Sequence, residues 1–472
     1  MINAGYLVRQ RVHEGKEVSS AVSAVDLADE GLLKPVLDDD ALILCLDDLP
    51  ETTSTAETKG EKGAAETPQV ETLLRKNAEL QAELEQLTKQ FTNYRLAVQK
   101  TLDERWQADE EPPDASAKAA VEDKKPKKDD SEYYFESYAH NDIHETMIKD
   151  AVRTDAYRDF IYNNKDLFEG KTVLDIGCGT GILSLFCARA GAAKVIAVDR
   201  SDILDKAREN VFRNELDGVI TCVKGCIEDV ILPVKQVDII VSEWMGYALL
   251  YEAMLPSILY ARDRYLVPGG LVVPSHASMW VAPVSDAEYM DDHVRFWNDV
   301  YGFDMQAMKT GQFVDSRVVT MPETSLSGFS SMFRFLDLHT VKTDDLVFEA
   351  PYQSTLTTPS PLNGFLIWFD MFFARTRDDV SVTPTTTAKE WASGDRVAFT
   401  TGPAGTETHW RQILFLVDEE KNKTVVTEAD VGKEVAGVVK YSTAEGHARG
   451  LNIKISWGIE EGQKQEQDWL LH

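Results

Sequence analysis

The stretch 173-VLDIGCGTGILSLFCARAGAAKVIAVD-199 decides the fold. An apolar run meets three glycines, a helical pattern follows, and a second apolar run stops on an aspartate. Strand, glycine turn, helix and acid-terminated strand are the parts of a nucleotide-binding unit. The dinucleotide spacing G-x-G-x-x-G is not met, because the glycines are Gly177, Gly179 and Gly181 and position 182 is Ile. Asp199 closes the second run, where an acid accepts hydrogen bonds from ribose hydroxyls. Asp175, just before the glycines, is expected to face the same crevice. A pyrophosphate would be repelled by that carboxylate and an ammonium group attracted. The implied ligand is a nucleoside that carries an amino acid, and S-adenosylmethionine meets that description.

Working outward, "KTVLDIG", "AKVIAVD", "VITCVKG" and "VDIIVSEW" are short β-branched runs. "GILSLFCARAGA" and "DILDKARENVFRN" between them have helical spacing. This alternation predicts a doubly wound parallel sheet, an α/β architecture, from about residue 150 to 274. Beyond Pro274 the runs "GFLIWFDMFFART", "WRQILFLVD", "EVAGVVKYS" and "LNIKISWGI" are strand-like and separated by turn residues. Leu451, Ile453, Ile455 and Trp457 alternate with other residues in the last of them, so an antiparallel sandwich or barrel is expected.

Toward the N-terminus the style changes. Residues 1–67 are acidic and linker-like, with "DDDALILCLDDLPE" and then a Thr/Glu/Ala/Gly-rich run. Residues 68–107 carry a heptad through Val70, Leu73, Asn77, Leu80, Leu84, Leu87, Phe91, Tyr94 and Val98. A coiled coil with Asn77 fixing its register fits this pattern, and so does one amphipathic helix lying on the protein's own body. Residues 108–130 form a second, mixed-charge linker. Its "KKPKK" fits a nuclear-import patch or, given the flanking acids, a plain solvated linker.

The 79 acidic residues against 49 basic ones give a formal net charge of −30. That balance argues against nucleic acid or anionic membrane as direct partners and favours basic ones. The five cysteines, Cys45, Cys178, Cys187, Cys222 and Cys226, form no C-x-x-C pair, which suits a reduced compartment. With no long uninterrupted apolar stretch and no signal-peptide pattern, a soluble chain of the cell interior is expected.

Four motifs point further. "DIGCGTGILSLFCARAGA" resembles the first motif of the class I methyltransferases, and "SEWMGYALLYEAML" the double-glutamate loop of the protein arginine methyltransferases. "YYFESYAHNDIHETMIKDAVRT" resembles that family's cofactor-covering N-terminal helices, and Thr408–Trp410, "THW", its C-terminal loop. The resemblance runs from about 131 to 472. It implies a Rossmann-like domain over 131–274, then an antiparallel β-barrel domain over 275–472. It also implies an inserted helical dimerisation arm at about 291–313, where Phe296, Trp297, Tyr301 and Phe303 are many large apolar groups for one surface.

The activity it implies is type I arginine N-methylation, giving monomethylarginine and then asymmetric dimethylarginine. The methyl donor is S-adenosyl-L-methionine, the product S-adenosyl-L-homocysteine, and no metal is involved. Arginine needs such a site because its guanidinium, with a pKa above about 12, is a poor nucleophile. Glu243 and Glu252 take the role of two carboxylates that grip it. His409 paired with Asp150 fits a proton relay or a structural histidine. For the cofactor the resemblance implies Tyr138, His144, Met147, Arg153, Asp175, Gly177, Gly179, Asp199, Ser201, Ile227 and Glu228. Tyr134, Met245 and Met254 would line the substrate pocket, the methionines being associated with asymmetric product. Asp199 stands where many members carry glutamate, a change that keeps the carboxylate.

The partners implied are Arg/Gly-rich basic proteins, ribosomal proteins among them, with no direct nucleic acid or membrane, and the assembly is a homodimer in the cytoplasm or also the nucleus. Some members carry an N-terminal C2H2 zinc finger. Residues 1–130 hold one cysteine and one histidine, too few for one. His140 and His144 lie four apart on an expected helix, but without the H-E-x-x-H order or a third ligand they are not read as a zinc pair. Two other readings remain: a non-catalytic coiled-coil scaffold retaining the fold, and a small-molecule methyltransferase, which would not need a double-glutamate loop.

Overall fold

The computed structural model describes residues 130–472 apart from 378–382, 384, 420, 422–423 and 460–463. The heptad and both expected linkers lie outside the described residues. The described chain opens with three helices, α1 (Asp130–Ser137), α2 (Asn141–Lys149) and α3 (Ala151–Asn163), and a single turn, α4 (Lys165–Phe168). Asp150 stops α2 and starts α3. Its backbone is extended (φ −67°, ψ 95°) and its side chain accepts from the Arg153 amide, a cap worth about 1 kcal/mol.

A five-stranded parallel sheet follows, built from β1 (Thr172–Ile176), β2 (Lys194–Asp199), β3 (Ile220–Lys224), β4 (Val237–Val241) and β5 (Leu266–Val273). The order is β3-β2-β1-β4-β5. Helices α5 (Ile182–Arg189), α6 (Ile203–Arg213) and α7 (Leu255–Tyr265) provide crossovers. Val173, Leu174, Val195, Ile196 and Ile240 are fully buried, as a sheet covered on both faces requires. Each such side chain contributes roughly 1.5–3 kcal/mol relative to exposure. Strand order reverses between β1 and β4, so the crevice beyond their carboxyl ends is the switch point where ligands bind.

Two antiparallel sheets make up the rest. One is built on β10 (Gly364–Phe373), flanked by β6 (His276–Val284), β11 (Val397–Thr400) and β12 (Gln412–Leu416), with β7 (Arg317–Val319) and β8 (Ser331–Asp337) at its edges. All ten β10 positions are buried, which suits a sequence that is apolar but for Asp370, whose Oδ2 accepts from the Ala388 amide at 2.8 Å. The other sheet has the order β15-β14-β13-β9, from β9 (Phe348–Thr355), β13 (Glu434–Ala444), β14 (His447–Gly458) and β15 (Gln465–Leu471). The alternation read at Leu451–Trp457 belongs to β14, where Ile453 and Ile455 are buried.

Between β6 and β7 lies the segment expected to be an arm. It holds α8 (Ala287–His293) and two 3-10 turns, Arg295–Asn298 and Gln306–Lys309. Phe296, Tyr301 and Phe303 are exposed, Tyr301 at 81%. Several hydrogen bonds tie the barrel sheets to the rest of the described chain, among them two from the Thr408–Trp410 loop. The Trp410 indole donates to the Met245 carbonyl at 2.8 Å, and His409 bonds Asp150.

Candidate active site

The glycine turn brings the backbone of Gly177–Gly179 to the cleft at the end of β1. Gly177 adopts φ +68°, and a Cβ there would collide with the end of the Met254 side chain. The Gly179 amide donates to Asp199 Oδ2 at 2.8 Å and the Ser201 amide to Oδ1 at 2.7 Å. Asp199 therefore braces the loop as well as lining the cleft. Each carboxylate oxygen accepts more than one bond, so capacity for ribose hydroxyls remains. Burial pushes the Asp199 pKa up, and the two amide donors act against it.

Asp175 departs from the sequence expectation. Its side chain is fully buried and is not among the residues lining the cleft. The Ser184 hydroxyl of α5 donates to Oδ2 at 2.6 Å, and Oδ1 is buried without a hydrogen-bond partner. Burial in an apolar sheet pushes its pKa up to about 7. In a strand buried on both faces, sequence does not tell which side of the sheet a lone acid takes. Here Asp175 lies under the glycine turn, and a role toward the cofactor would be through that turn.

The other cofactor candidates converge. His144, Met147, Arg153, Ser201, Ile227 and Glu228 all line the cleft, Glu228 from its exposed rim. His144 bonds the Tyr138 carbonyl through Nε2 at 2.8 Å, and burial lowers its pKa, favouring the neutral ring. A methylene-and-backbone cradle, an acid beyond it and a buried guanidinium fit a nucleoside bearing an amino acid.

The double-glutamate loop follows β4. Gly246 is required because a Cβ would strike the Tyr251 carbonyl. Ala248, Leu249, Glu252 and Ala253 all have positive φ, between 49° and 75°. Such residues cost about 1–3 kcal/mol each and persist where surroundings hold them. The Tyr157 hydroxyl donates to the Ser242 carbonyl at 2.9 Å and anchors the loop's start.

Glu243 and Arg153 form a buried ion pair, each side chain 7% exposed. Arg153 Nε and Nη2 both donate to Glu243 Oε2, at 3.1 and 2.9 Å. The resemblance implies Arg153 for the cofactor; in the structure its guanidinium also orients Glu243. Glu252 Oε2 accepts from the Tyr138 hydroxyl at 2.8 Å. Burial, with the nearby Glu243 charge adding to it, pushes the Glu252 pKa up to about 7 against the Tyr138 and Tyr134 hydroxyls and Arg449. Tyr134 and Tyr138 are themselves raised by burial and by Glu252.

Met245 and Met254 flank the two acids in the same cleft. His409 Nδ1 lies 2.7 Å from Asp150 Oδ2, and the His409 amide donates to that oxygen at 2.8 Å. Burial acts to raise Asp150, but the His409 and Arg153 donors outweigh it and hold its pKa below the ordinary value. Sequence reasoning missed Arg449, whose backbone and side chain both bond Glu252, and Arg200, whose guanidinium sits 4.4 Å from the Phe135 ring centre. Neither had a motif to mark it.

Comparison with known proteins settles the kinship. A family model described as a methyltransferase domain matches residues 173–270, and one described as the arginine methyltransferase oligomerization subdomain matches 275–463. The chain is 38% identical over 471 residues to the ribosomal protein arginine N-methyltransferase rmt3 of Schizosaccharomyces pombe, covering 98% of this chain and 81% of that one. The chain belongs to the protein arginine N-methyltransferases.

It is also 44% identical over 326 residues to protein arginine N-methyltransferase 1 of the same yeast, across 69% of this chain and 89% of the relative. Among solved structures, the Trypanosoma brucei PRMT1 enzyme-prozyme heterotetrameric complex with AdoHcy matches with a TM-score of 0.63 and 33% identity. It covers 71% of this chain and all of that one. Arabidopsis thaliana protein arginine methyltransferase 10 matches with a TM-score of 0.60 and 30% identity, over 72% of this chain and all of that one. This methyltransferase acts on protein arginine, with S-adenosylmethionine as methyl donor. Its cleft holds both glutamates beside the glycine turn, so the scaffold and small-molecule readings fall away.

Proposed function

We propose that this arginine methyltransferase is a type I enzyme, making monomethylarginine and then asymmetric dimethylarginine on Arg/Gly-rich segments of basic proteins. The observation that carries this is the convergence of Glu243 and Glu252 on one cleft flanked by Met245 and Met254. S-adenosylmethionine, when bound, supplies an electrophilic methyl group; His144, Arg153, Asp199 and Glu228 are the residues to hold it.

The chain's own residues do the rest. Arg153 fixes Glu243 and Tyr138 fixes Glu252, so both carboxylates are oriented before an arginine arrives. Two carboxylates on one guanidinium draw its positive charge toward the nitrogens they hold and leave the attacking nitrogen richer in electrons. In-line placement of that nitrogen supplies about 7–11 kcal/mol of the barrier reduction. The departing proton passes to a base, for which the His409–Asp150 pair is our candidate. The methionines narrow the pocket so that the second methyl goes to the nitrogen already methylated.

Ribosomal proteins are the proposed substrates, by analogy with the name of the fission-yeast relative and because the net charge of −30 suits basic partners. A homodimer formed through the segment at about 291–313, working in the cytoplasm, completes the proposal. The test is incubation with labelled S-adenosylmethionine and an Arg/Gly-rich peptide, then acid hydrolysis and chromatography. Asymmetric dimethylarginine is the expected product, and predominantly symmetric dimethylarginine would overturn the type I assignment.

A further inference from the structure

Helix α1 carries Tyr134 and is followed directly by Tyr138; both hydroxyls reach the substrate acid, and α1 packs on β14. The residue that joins them is Arg449, at the start of β14 and 197 positions from Glu252. The Glu252 amide donates to the Arg449 carbonyl at 3.0 Å, and Arg449 Nη1 donates back to the Glu252 carbonyl. The same guanidinium lies 3.9 Å from the Tyr134 ring centre and 5.1 Å from that of Phe135. Tyr134 packs on Tyr138 with ring centres 4.9 Å apart, and the Tyr138 hydroxyl returns to Glu252 Oε2. The circuit is closed: Glu252 backbone, Arg449, Tyr134, Tyr138, Glu252 carboxylate.

Glu252 needs such support. Its φ is +75° and that of Ala253 is +52°, conformations that a non-glycine residue keeps only when neighbours hold it. Arg449 Nε is buried without a hydrogen-bond partner, so the cation is held by ring faces and one carbonyl. We propose that Arg449 is a positioning residue that ties the covering helix α1 to the Glu252 backbone, so that the arginine pocket is aligned only when α1 lies folded over the cofactor cleft. This rests on Glu252 being a substrate-binding acid. Cofactor capture and pocket assembly then become one event, and an arginine is gripped correctly only in the covered enzyme.

The test is a cycle of Arg449→Lys, Tyr134→Leu and the double variant in the full chain, reading kcat, peptide KM, S-adenosylhomocysteine affinity by calorimetry and thermal midpoint. Lysine keeps the charge and loses the planar fork, so it addresses geometry without stripping the cation. Each single variant should lower kcat about tenfold. The double variant should be no worse than about twofold below the weaker single, because both cut the same connection. Arg449→Ala should also move the acid limb of kcat/KM to higher pH, since Arg449 is the cation facing Glu252 beside Glu243, Tyr134 and Tyr138. Arg449→Lys should hold that limb where it is. Multiplied losses in the double variant would overturn the coupling. So would a loss in Arg449→Lys confined to thermal midpoint with kcat intact. Full arginine methylation by Glu252→Gln would instead remove the reading on which the proposal rests.

Discussion

Replacing Tyr138 by Phe removes one hydroxyl and leaves the ring, which makes it the cleanest probe of Glu252. The acid works ionised, and burial has already brought its pKa from 4.5 to about 7. The Tyr138 hydroxyl, 2.8 Å from Oε2, stabilises the ionised form. A hydrogen bond to a charged group contributes about 1.5–3 kcal/mol, and one pKa unit corresponds to about 1.4 kcal/mol. Losing it raises Glu252 by about one unit or more. The sign follows directly: ionised acid is active acid, so activity is lost below the pKa and recovered above it. Near neutral pH the ionised fraction falls from about a half to about a tenth, a roughly fivefold loss in kcat/KM. The assay is kcat/KM for an Arg/Gly-rich peptide across the range from about pH 6 to 9.5 at fixed ionic strength and donor saturation. The gap between variant and parent should close as pH rises. A gap that stays constant, or an inflection that does not move up, would mean that the Tyr138 hydroxyl does not set the ionisation of Glu252.

Other substitutions address other parts of the site. Asp199→Ala removes the acceptor of two loop amides and a candidate ribose partner, so S-adenosylhomocysteine affinity measured by calorimetry should fall about tenfold or more. Unchanged affinity would take Asp199 out of the site. Glu243→Gln leaves the buried Arg153 without its counter-charge, so turnover should collapse and the thermal midpoint should also drop, reflecting roughly 3–5 kcal/mol. A midpoint equal to the parent's would mean that the pair is not structurally coupled. Replacing residues 292–312 by a short Gly/Ser linker should give an inactive monomer by light scattering, and a fully active dimer would dismiss the arm as the assembly device.

What the sequence made legible has a physical pattern. The glycine turn, Asp199, the double-glutamate loop and Thr408–Trp410 are local signals, with chemistry and spacing inside one short segment. The structure gathers nearly all of them around one cleft. The burial of the Asp175 side chain is not legible, because β1 is buried on both faces and its apolar run carries no alternation to show which way an acid points. The motif resemblance points Arg153 to the cofactor, while its second task, holding Glu243 from 90 residues away, needs the fold to become visible. Arg449 was invisible for the same reason. One arginine at the start of a strand has no motif, and its partners Glu252 and Tyr134 belong to other elements. The barrel region was legible from β10 and β14, whereas the short edge strand β7 has no pattern long enough to read.

In the proposed mechanism the two acids act as a charged clamp on arginine, distinct from cofactor binding. Glu252→Gln preserves shape, removes one charge and leaves the Glu243–Arg153 pair in place. Measured together, S-adenosylhomocysteine affinity should stay within about threefold of the parent while methyl transfer to an Arg/Gly-rich peptide falls by about a hundredfold or more. Turnover within about tenfold of the parent, with the cofactor bound as before, would mean that the Glu252 charge does not clamp arginine.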